Sequence, residues 1–406
     1  MIAQNVLYKT IGFFEYEKNY DSKLIKSGYT PHKLDSDTKI FLKNSYYYEY
    51  NNLMFEKNDF GVSTFTKKFK HELTLVSKEQ KVIINQVQIY LFNDSFKDTQ
   101  TAIFSLEYDV LDKSILAISD ITNELKNKKC KIIFKDVEYF LDDFIFKEIL
   151  ETSVDFENDS FYEYSGTRYK NYLILDIENE TFSRDNLLYE LGTSSKIDTI
   201  NDKSIDAPSD AYFSKVLENK ISVFNNYECL ALLNSFTVIG SNNYNSQDPY
   251  TFKTWNSIYF SIYIYNLYLK SSFQVILNNF TSDPVKKRNE FNAVFNKYYL
   301  KKISYNFLPN ELNNGISNSL ELNDDIEFIR LRLDTLANQI NEKQQGKQQF
   351  LLLSLSIIAL LETPLHIDGI RQIIGIDNLL IYNSSVYPSL IVLLIILIVL
   401  KFKEKI

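Results

Sequence analysis

FLLLSLSIIALL (350–361) and LIVLLIILIVL (390–400) are two apolar stretches close to the carboxyl end of the chain. Each is shorter than the roughly 20 apolar residues that a membrane-spanning helix needs. The first can be extended back to residue 344 and the second over 386–402, with few charges included. Because the second stretch is apolar on every side, which is rare in a soluble helix, the pattern predicts two transmembrane helices. Two buried helices in a soluble core are the alternative.

A heptad pattern precedes the first apolar stretch. Six aliphatic residues recur at alternating spacings of four and three, which places them on one seam of a helix. They are Leu322, Ile326, Ile329, Leu333, Leu336 and Ile340. The pattern predicts a stalk helix, continuous from 318 to 361, that enters the membrane and assembles a homo-oligomer through this seam.

The charges that flank the two spans predict their orientation. Three lysines follow the second span within 401–406, whereas the interval 362–387 carries three acids and one arginine. Lysine and arginine favour the cytoplasmic side of a membrane. We therefore expect a multi-pass protein of the cell inner membrane, with both termini in the cytoplasm and a short outer loop.

Three short motifs carry a family resemblance. LDTLANQINE (Leu333–Glu342) is followed by Pro364-Leu365 and Gly369-Ile370. Together with the heptad helix and the basic tail, they resemble the CorA family of divalent-cation channels over roughly residues 300–406. The family's Gly-Met-Asn signature, which forms its outer ion-binding ring, is absent, and the nearest candidate is Gly375-Ile376-Asp377-Asn378. That departure puts magnesium selectivity in doubt.

The resemblance implies a pentameric membrane channel with a divalent cation as its possible ligand. Divergent CorA-like proteins that lack the signature are associated with antiviral defence of the type III CRISPR kind. There, a nucleotide second messenger activates a membrane effector. The resemblance therefore implies a nucleotide-gated channel, with no cofactor and with the metal site unknown.

The rest of the chain predicts an α/β cytoplasmic domain over 1–210. A helical cytoplasmic subdomain (211–283), stalk helices (284–349) and the transmembrane hairpin with its short basic tail (350–406) are expected to follow. Strands are expected over Val82–Phe92 and Ala102–Val110 because β-branched and aromatic residues dominate there. A buried helix is expected over 255–280, with a third membrane span as the alternative. In 213–224 and 228–239 we expect helices.

Composition argues against several function classes. The net charge of −8 makes direct nucleic-acid binding unexpected. The three histidines, His32, His71 and His366, lie far apart, and the chain has no phosphate-cradling glycine-rich loop. We therefore do not expect an enzyme.

Three sets of residues are candidates for function. The expected pore-lining residues are Asn338, Asn341, Gln345, Gln348, Leu352, Ser356, Ala359 and Thr363. The expected outer-loop residues are Glu362, Asp368, Gly375, Asp377 and Asn378. The expected ligand-binding residues are Lys286, Lys287, Arg288, Lys301 and Lys302. Amide oxygens and carboxylate rings can hold cations, and lysines can hold an anionic nucleotide. The alternatives are that the amides mark the membrane surface and that the charges form solvated faces.

The functional hypothesis is a homo-oligomeric channel opened by a cytoplasmic nucleotide. A housekeeping magnesium or other divalent-cation transporter with a divergent loop is the first alternative. A membrane-anchored binding protein without transport is the second.

Overall fold

The computed structural model describes residues 2–17, 20–56, 61–93, 99–151, 168–177, 183–201, 207–224, 227–241, 254–278 and 284–374. Over 357–374 it describes the backbone only. The chain divides into two units, Met1–Asp334 and Thr335–Ile406.

A mixed β-sheet is the centre of the first unit. The described residues form eleven strands in the order β7-β6-β3-β4-β5-β1-β8-β11-β10-β9, with β2 paired to β3. Neighbouring strands are antiparallel, except for the parallel pair β8 and β11. The strands are β1 (Ala3–Glu17), β2 (Thr30–Pro31), β3 (Val62–Leu75), β4 (Gln80–Phe92), β5 (Thr99–Val110), β6 (Lys131–Phe134), β7 (Val137–Phe140), β8 (Lys170–Ile177), β9 (Lys220–Phe224), β10 (Tyr227–Leu232) and β11 (Ser235–Ser241).

Helices cover both faces of this sheet. The α-helices are α1 (Tyr20–Lys26), α2 (Ser36–Ser45), α3 (Tyr48–Met54), α4 (Ile115–Leu125), α5 (Leu141–Phe144), α6 (Arg184–Thr193), α7 (Asp210–Leu217), α8 (Phe260–Asn278), α9 (Pro284–Tyr298), α10 (Phe307–Ser319) and α11 (Leu322–Ile374). Two π-helical segments, Ile145–Ile149 and Trp255–Tyr259, continue directly from α5 and into α8.

One face of the sheet packs on α4 and the first π-helical segment. Phe14 and Phe104 meet Phe146 edge-on, with ring centroids 6.2 and 5.9 Å apart. Gly12 contacts the rings of Phe104 and Tyr169. A Cβ at this position would come within 2.9 Å of the Tyr169 ring and closer still to Phe104, so a larger residue would not fit without a shift of these rings. A large continuous core therefore fills this side.

The other face packs on α8, whose side chains are almost all buried. Phe92 stacks on Tyr268 with centroids 3.8 Å apart, and Tyr172 meets Phe260 at 4.7 Å. The expectation of a buried helix over 255–280 is confirmed for 255–278, where burial between the sheet and other helices explains its apolar composition. The expected strands over Val82–Phe92 and Ala102–Val110 are confirmed as β4 and β5.

The region 211–283 differs from the helical subdomain that we expected. Three strands, β9, β10 and β11, lie within 220–241 and extend the sheet of the preceding residues. Short apolar runs such as those of β10 and β11 carry no periodicity that separates a strand from a buried helix. The segment of β11 is a strand because it pairs with β8, and this long-range pairing cannot be recognised from the local sequence.

The predicted transmembrane hairpin is wrong as a description of this fold, and so are the membrane keywords and the inner-membrane localisation. Among the described residues, no helix combines the length and the apolarity that a membrane crossing requires. α11 runs unbroken to Ile374, so the apolar stretch 350–361 continues into 362–374 with its two acids and one arginine. Polar residues of 338–349 precede it. The second predicted span, 390–400, lies outside the described residues.

The stalk helix also differs from its prediction. It begins at Leu322 rather than 318, after a break at Glu321, whose φ is +55°. The first four members of the heptad seam are buried inside the first unit. Ile329 is 0 % exposed and so packs within its own chain. Assembly of a homo-oligomer through the seam therefore stays a prediction only for Leu336 and Ile340, which are partly exposed.

Candidate functional site

The expected pore-lining residues lie on α11 in the second unit. Six of them have exposed side chains: Asn338, Asn341, Gln345, Gln348, Leu352 and Ser356. Ala359 and Thr363 lie on the same helix, in the part described by its backbone alone. That these residues line a pore stays a prediction, which assumed that this helix crosses a membrane.

The expected outer loop is helical where the structure describes it. Glu362 and Asp368 lie on α11, which continues to Ile374. Gly375, Asp377 and Asn378 lie outside the described residues. Glu362 and Asp368 therefore do not lie on a short loop, which the predicted ring of carboxylates required.

The expected basic ligand site does not form one cluster. Lys287 pairs with Glu290 at 2.7 Å, and Arg288 lies 3.7 Å from Asp334. Lys286 is an exposed residue of the same helix, α9. Lys301 and Lys302 follow α9 and are exposed, and Lys301 lines the second of the two cavities described below, whereas Lys302 does not line it.

A cavity of about 250 Å³ lies between one face of the sheet and the second π-helical segment, and we call it the sheet cavity. Strands β3, β4 and β5 line it together with α3 and the segment 31–34. Its polar lining residues are His32, Ser63, Thr64, Gln86, Gln88, Tyr90, Glu107, Asn256, Ser257 and Ser261. Its apolar lining residues are Pro31, Leu34, Met54, Phe55, Val62, Phe65 and Ile258. Mixed walls of this kind are typical of small-molecule sites.

A buried ion pair borders the sheet cavity. Lys9 on β1 is 1 % exposed, and its Nζ lies 3.2 Å from Oε2 of Glu107 on β5. The ammonium also donates to Oε1 of Gln88 at 3.4 Å and lies 4.1 Å from the centre of the Phe260 ring. Burial lowers the pKa of Lys9, and the Glu107 carboxylate opposes that shift. The pair therefore places two opposite charges beneath a largely uncharged site.

Two amides of the sheet cavity have hydrogen-bonding groups to spare. Gln88 accepts from Lys9, which can only donate, and from the Tyr90 hydroxyl at 3.2 Å, so its Nε2 remains as a donor. Asn256 has a buried Oδ1 that accepts no hydrogen bond from the described residues. A buried acceptor without a partner is costly, which makes Asn256 the clearest sign of a missing ligand or water.

The π-helical segment Trp255–Tyr259 places Asn256 and Ser257 at the sheet cavity. Tyr172 on β8 donates from its hydroxyl to the Trp255 carbonyl at 2.7 Å and so ties this segment to the sheet. Ser261, one turn later, donates to the carbonyl of Ile258 at 2.6 Å. π-Helical turns inside α-helices are frequent at functional sites, because they turn side chains away from the regular helical positions.

A second cavity, of about 460 Å³, lies among α8, α10, the start of α11 and the segment 299–301. We call it the helix cavity. Its lining residues are Tyr265, Asn266, Leu269, Tyr299, Leu300, Lys301, Asn313, Asn314, Ser317, Asn318, Leu322 and Asn323. It shares no lining residue with the sheet cavity.

Metal and thiol chemistry find little support in the part of the chain that the structure describes. That part contains no cluster of three histidine, cysteine or acidic residues that could hold a metal ion. Cys130 and Cys229 are both buried. Burial raises the pKa of Cys130 to about 12 and that of Cys229 well above its ordinary value, so neither thiol is activated as a nucleophile.

Comparisons with protein-family models, with curated proteins and with solved structures found no match to this chain. The resemblance to CorA-like channels therefore stays a prediction. The sequence-based reading missed the sheet cavity entirely. The signal that could have pointed to it is the set of polar residues inside otherwise apolar strands, such as Lys9 and Glu107.

Proposed function

We propose that the protein is a ligand-binding sensor that holds a small polar molecule in the sheet cavity. The proposal includes no membrane pore, and among the described residues no helix is suited to cross a membrane. The magnesium transporter and the membrane-anchored binding protein stay alternatives that no observation on this structure tests. The nucleotide-sensing part of the original hypothesis is retained, at a different place in the fold.

The observation that supports the proposal is the unpartnered Oδ1 of Asn256 in a cavity that also offers the free Nε2 of Gln88. A ligand that both donates and accepts hydrogen bonds would satisfy these two groups. The edges of nucleobases and of cyclic amides have that property. The apolar walls, which include Met54, Phe55 and Phe65, suit the flat face of such a ring.

The charges around the sheet cavity favour an uncharged group in the part of the ligand that occupies it. Glu107 is already paired with Lys9, so the cavity presents no free cation that would hold a phosphate. The volume of about 250 Å³ accommodates a single ring system rather than a whole dinucleotide. The expected occupant is therefore the base-like part of a ligand.

The experiment is a thermal-unfolding screen of the full chain against nucleobases, nucleosides and nucleotides. A ligand at 100 times its Kd stabilises the folded state by about 2.7 kcal/mol, which raises Tm by a few degrees. We expect Gln88→Leu and Asn256→Leu to remove that shift. Asn289→Leu, an exposed amide on α9, is the matched control and is expected to keep it.

Stabilisation that persists in both cavity variants would contradict the proposed site. Absence of stabilisation by every compound of the panel would contradict the proposed ligand class.

A further inference from the structure

The helix cavity contains hydrogen-bond donors whose orientation is set by their neighbours. Asn266 directs its Nδ2 to the Ile262 carbonyl at 2.8 Å, and a carbonyl oxygen can only accept. The second hydrogen of the same Nδ2 points to Oδ1 of Asn313 at 2.9 Å. Asn313 is 5 % exposed, so this nearly buried side chain is left with its Nδ2 as a donor that lines the cavity.

Two further donors belong to the same cavity. Asn323 accepts from the Tyr299 hydroxyl through Oδ1 at 3.0 Å, which leaves its Nδ2 free to donate. Lys301 is an ammonium donor for which the described residues supply no ion pair. The Tyr265 hydroxyl, in contrast, is fully used, since it donates to the Tyr298 carbonyl and accepts from the Leu300 amide.

Charge distinguishes this cavity from the rest of the surface. No carboxylate lines it, although the chain as a whole has a net charge of −8. The nearest acids in sequence are Asp325, which pairs with Lys270 at 2.7 Å, the exposed Glu321 and Asp324, and the partly exposed Glu311 on α10. Two amide donors next to one ammonium without an ion pair, with no carboxylate in the lining, suit a ligand that accepts hydrogen bonds.

We propose that the helix cavity binds an oxyanion, namely the phosphate or carboxylate group of a small metabolite, through Lys301, Asn313 and Asn323. This inference goes beyond the proposed function and does not depend on the sheet cavity. Leu322 and Asn323 lie in the first turn of α11, so a bound anion would contact the start of that helix. The site therefore has the position of a regulatory site for that helix.

The test is isothermal titration of the full chain with inorganic phosphate, pyrophosphate and acetate at constant ionic strength. Saturable binding of at least one of these ions is expected. Lys301→Met should weaken it about tenfold, which corresponds to the loss of one charge-assisted hydrogen bond. Lys302→Met is the matched control, because Lys302 is the adjacent exposed lysine and does not line the cavity.

A second variant tests the amide donors without disturbing the interior. Asn323→Leu changes an exposed residue of the first turn, whereas Asn313 is buried and its replacement could impair folding. We expect Asn323→Leu to weaken the same ion and to leave Tm unchanged in its absence. Tighter binding of phosphate than of acetate would assign a phosphorylated ligand, and the reverse order a carboxylate ligand.

Two results would overturn the proposal. One is the absence of saturable binding for all three ions at millimolar concentration. The other is equal weakening by Lys301→Met and Lys302→Met, because that would reflect general surface charge rather than a site. Binding lost in Lys301→Met but kept in Gln88→Leu would show that the two cavities act separately.

Discussion

At the residue scale, Lys9 belongs to the buried ion pair that borders the sheet cavity. Its ammonium is buried and faces Glu107 at 3.2 Å, so Lys9→Met leaves a carboxylate with little solvent and no cation. Removing one partner of a buried pair typically costs 3–5 kcal/mol, and we expect a loss of about 3 kcal/mol in urea unfolding because Glu107 is partly exposed. The double variant Lys9→Met/Glu107→Leu should recover most of it.

The matched control for that prediction is a surface pair on the same sheet. Lys81 lies 2.7 Å from Glu72, with both side chains about half exposed. Lys81→Met should cost less than about 1 kcal/mol, because water screens exposed pairs. Equal losses in Lys9→Met and Lys81→Met would mean that the Lys9 pair is hydrated.

His32 makes the stability of the first unit depend on pH. Partial desolvation and the charge of Lys9 lower the pKa of His32 below its ordinary value of 6.5. The folded state therefore binds this proton more weakly than the unfolded state. Its contribution to stability is present above about pH 6.5 and is lost as the pH falls towards the folded pKa. We expect wild type to lose more stability than His32→Gln between pH 7 and pH 5, measured by urea unfolding at each pH. Parallel pH profiles of the two proteins would contradict this.

At the scale of elements, α11 shows why a heptad pattern alone does not identify an oligomer interface. Ile329 and Leu331 are two residues apart on this helix, with exposures of 0 and 63 %. Ile329→Asp buries a charge without a partner and should lower the free energy of unfolding by about 4 kcal/mol or more. Leu331→Asp should change it by about 0.5 kcal/mol or less. Urea unfolding checks both.

The opposite result for Ile329→Asp would identify the heptad seam as a subunit interface. If Ile329→Asp left stability intact and instead reduced the mass of a native oligomer, the seam would face another subunit. Size-exclusion chromatography with light scattering on the same samples distinguishes the two cases.

Local pattern predicted the elements in which composition and burial agree. β4 and β5 are rich in β-branched and aromatic residues, and the helix over 255–278 is mostly apolar with Lys270 as its single charge, so these elements were recognisable. β10 and β11 were not, because short apolar runs are compatible with helix and strand alike. The strand β11 owes its state to parallel pairing with β8, more than 60 residues earlier along the chain.

The candidate site was invisible for a related reason. Lys9 and Glu107 become partners only through the register of β1 and β5, in which they are paired across 98 residues of sequence. Asn256 reaches the same cavity through a π-helical turn, which the hydrophobic pattern of the sequence does not indicate. Sequence reasoning instead favoured lysines that stand together in the chain, such as Lys286 and Lys287, and the fold gives Lys287 an acidic partner of its own.

At the scale of the whole molecule, one continuous core joins distant parts of the sheet. The same buried cluster contains Cys130 and Ile132 near one end and Leu230 and Ile239 near the other. Because the strands between them are hydrogen-bonded without interruption in the described sheet, we expect the first unit to unfold cooperatively.

The two cysteines test that cooperativity, since they lie towards opposite ends of the sheet. Cys130 precedes β6 and Cys229 lies on β10; they are 4 and 0 % exposed, and burial raises the pKa of both thiols. Labelling by a thiol reagent at pH 8 should therefore be slow in the folded state and should follow unfolding. In the single-cysteine variants Cys130→Ala and Cys229→Ala, the remaining thiol should become reactive at the same urea concentration.

Separate midpoints that persist after correction for the small stability change of each variant would show that the end of the sheet formed by β9, β10 and β11 opens as an independent unit. In that case ligand binding in the sheet cavity should protect the thiol of Cys130 and leave that of Cys229 unprotected, because the cavity is lined by β3, β4 and β5.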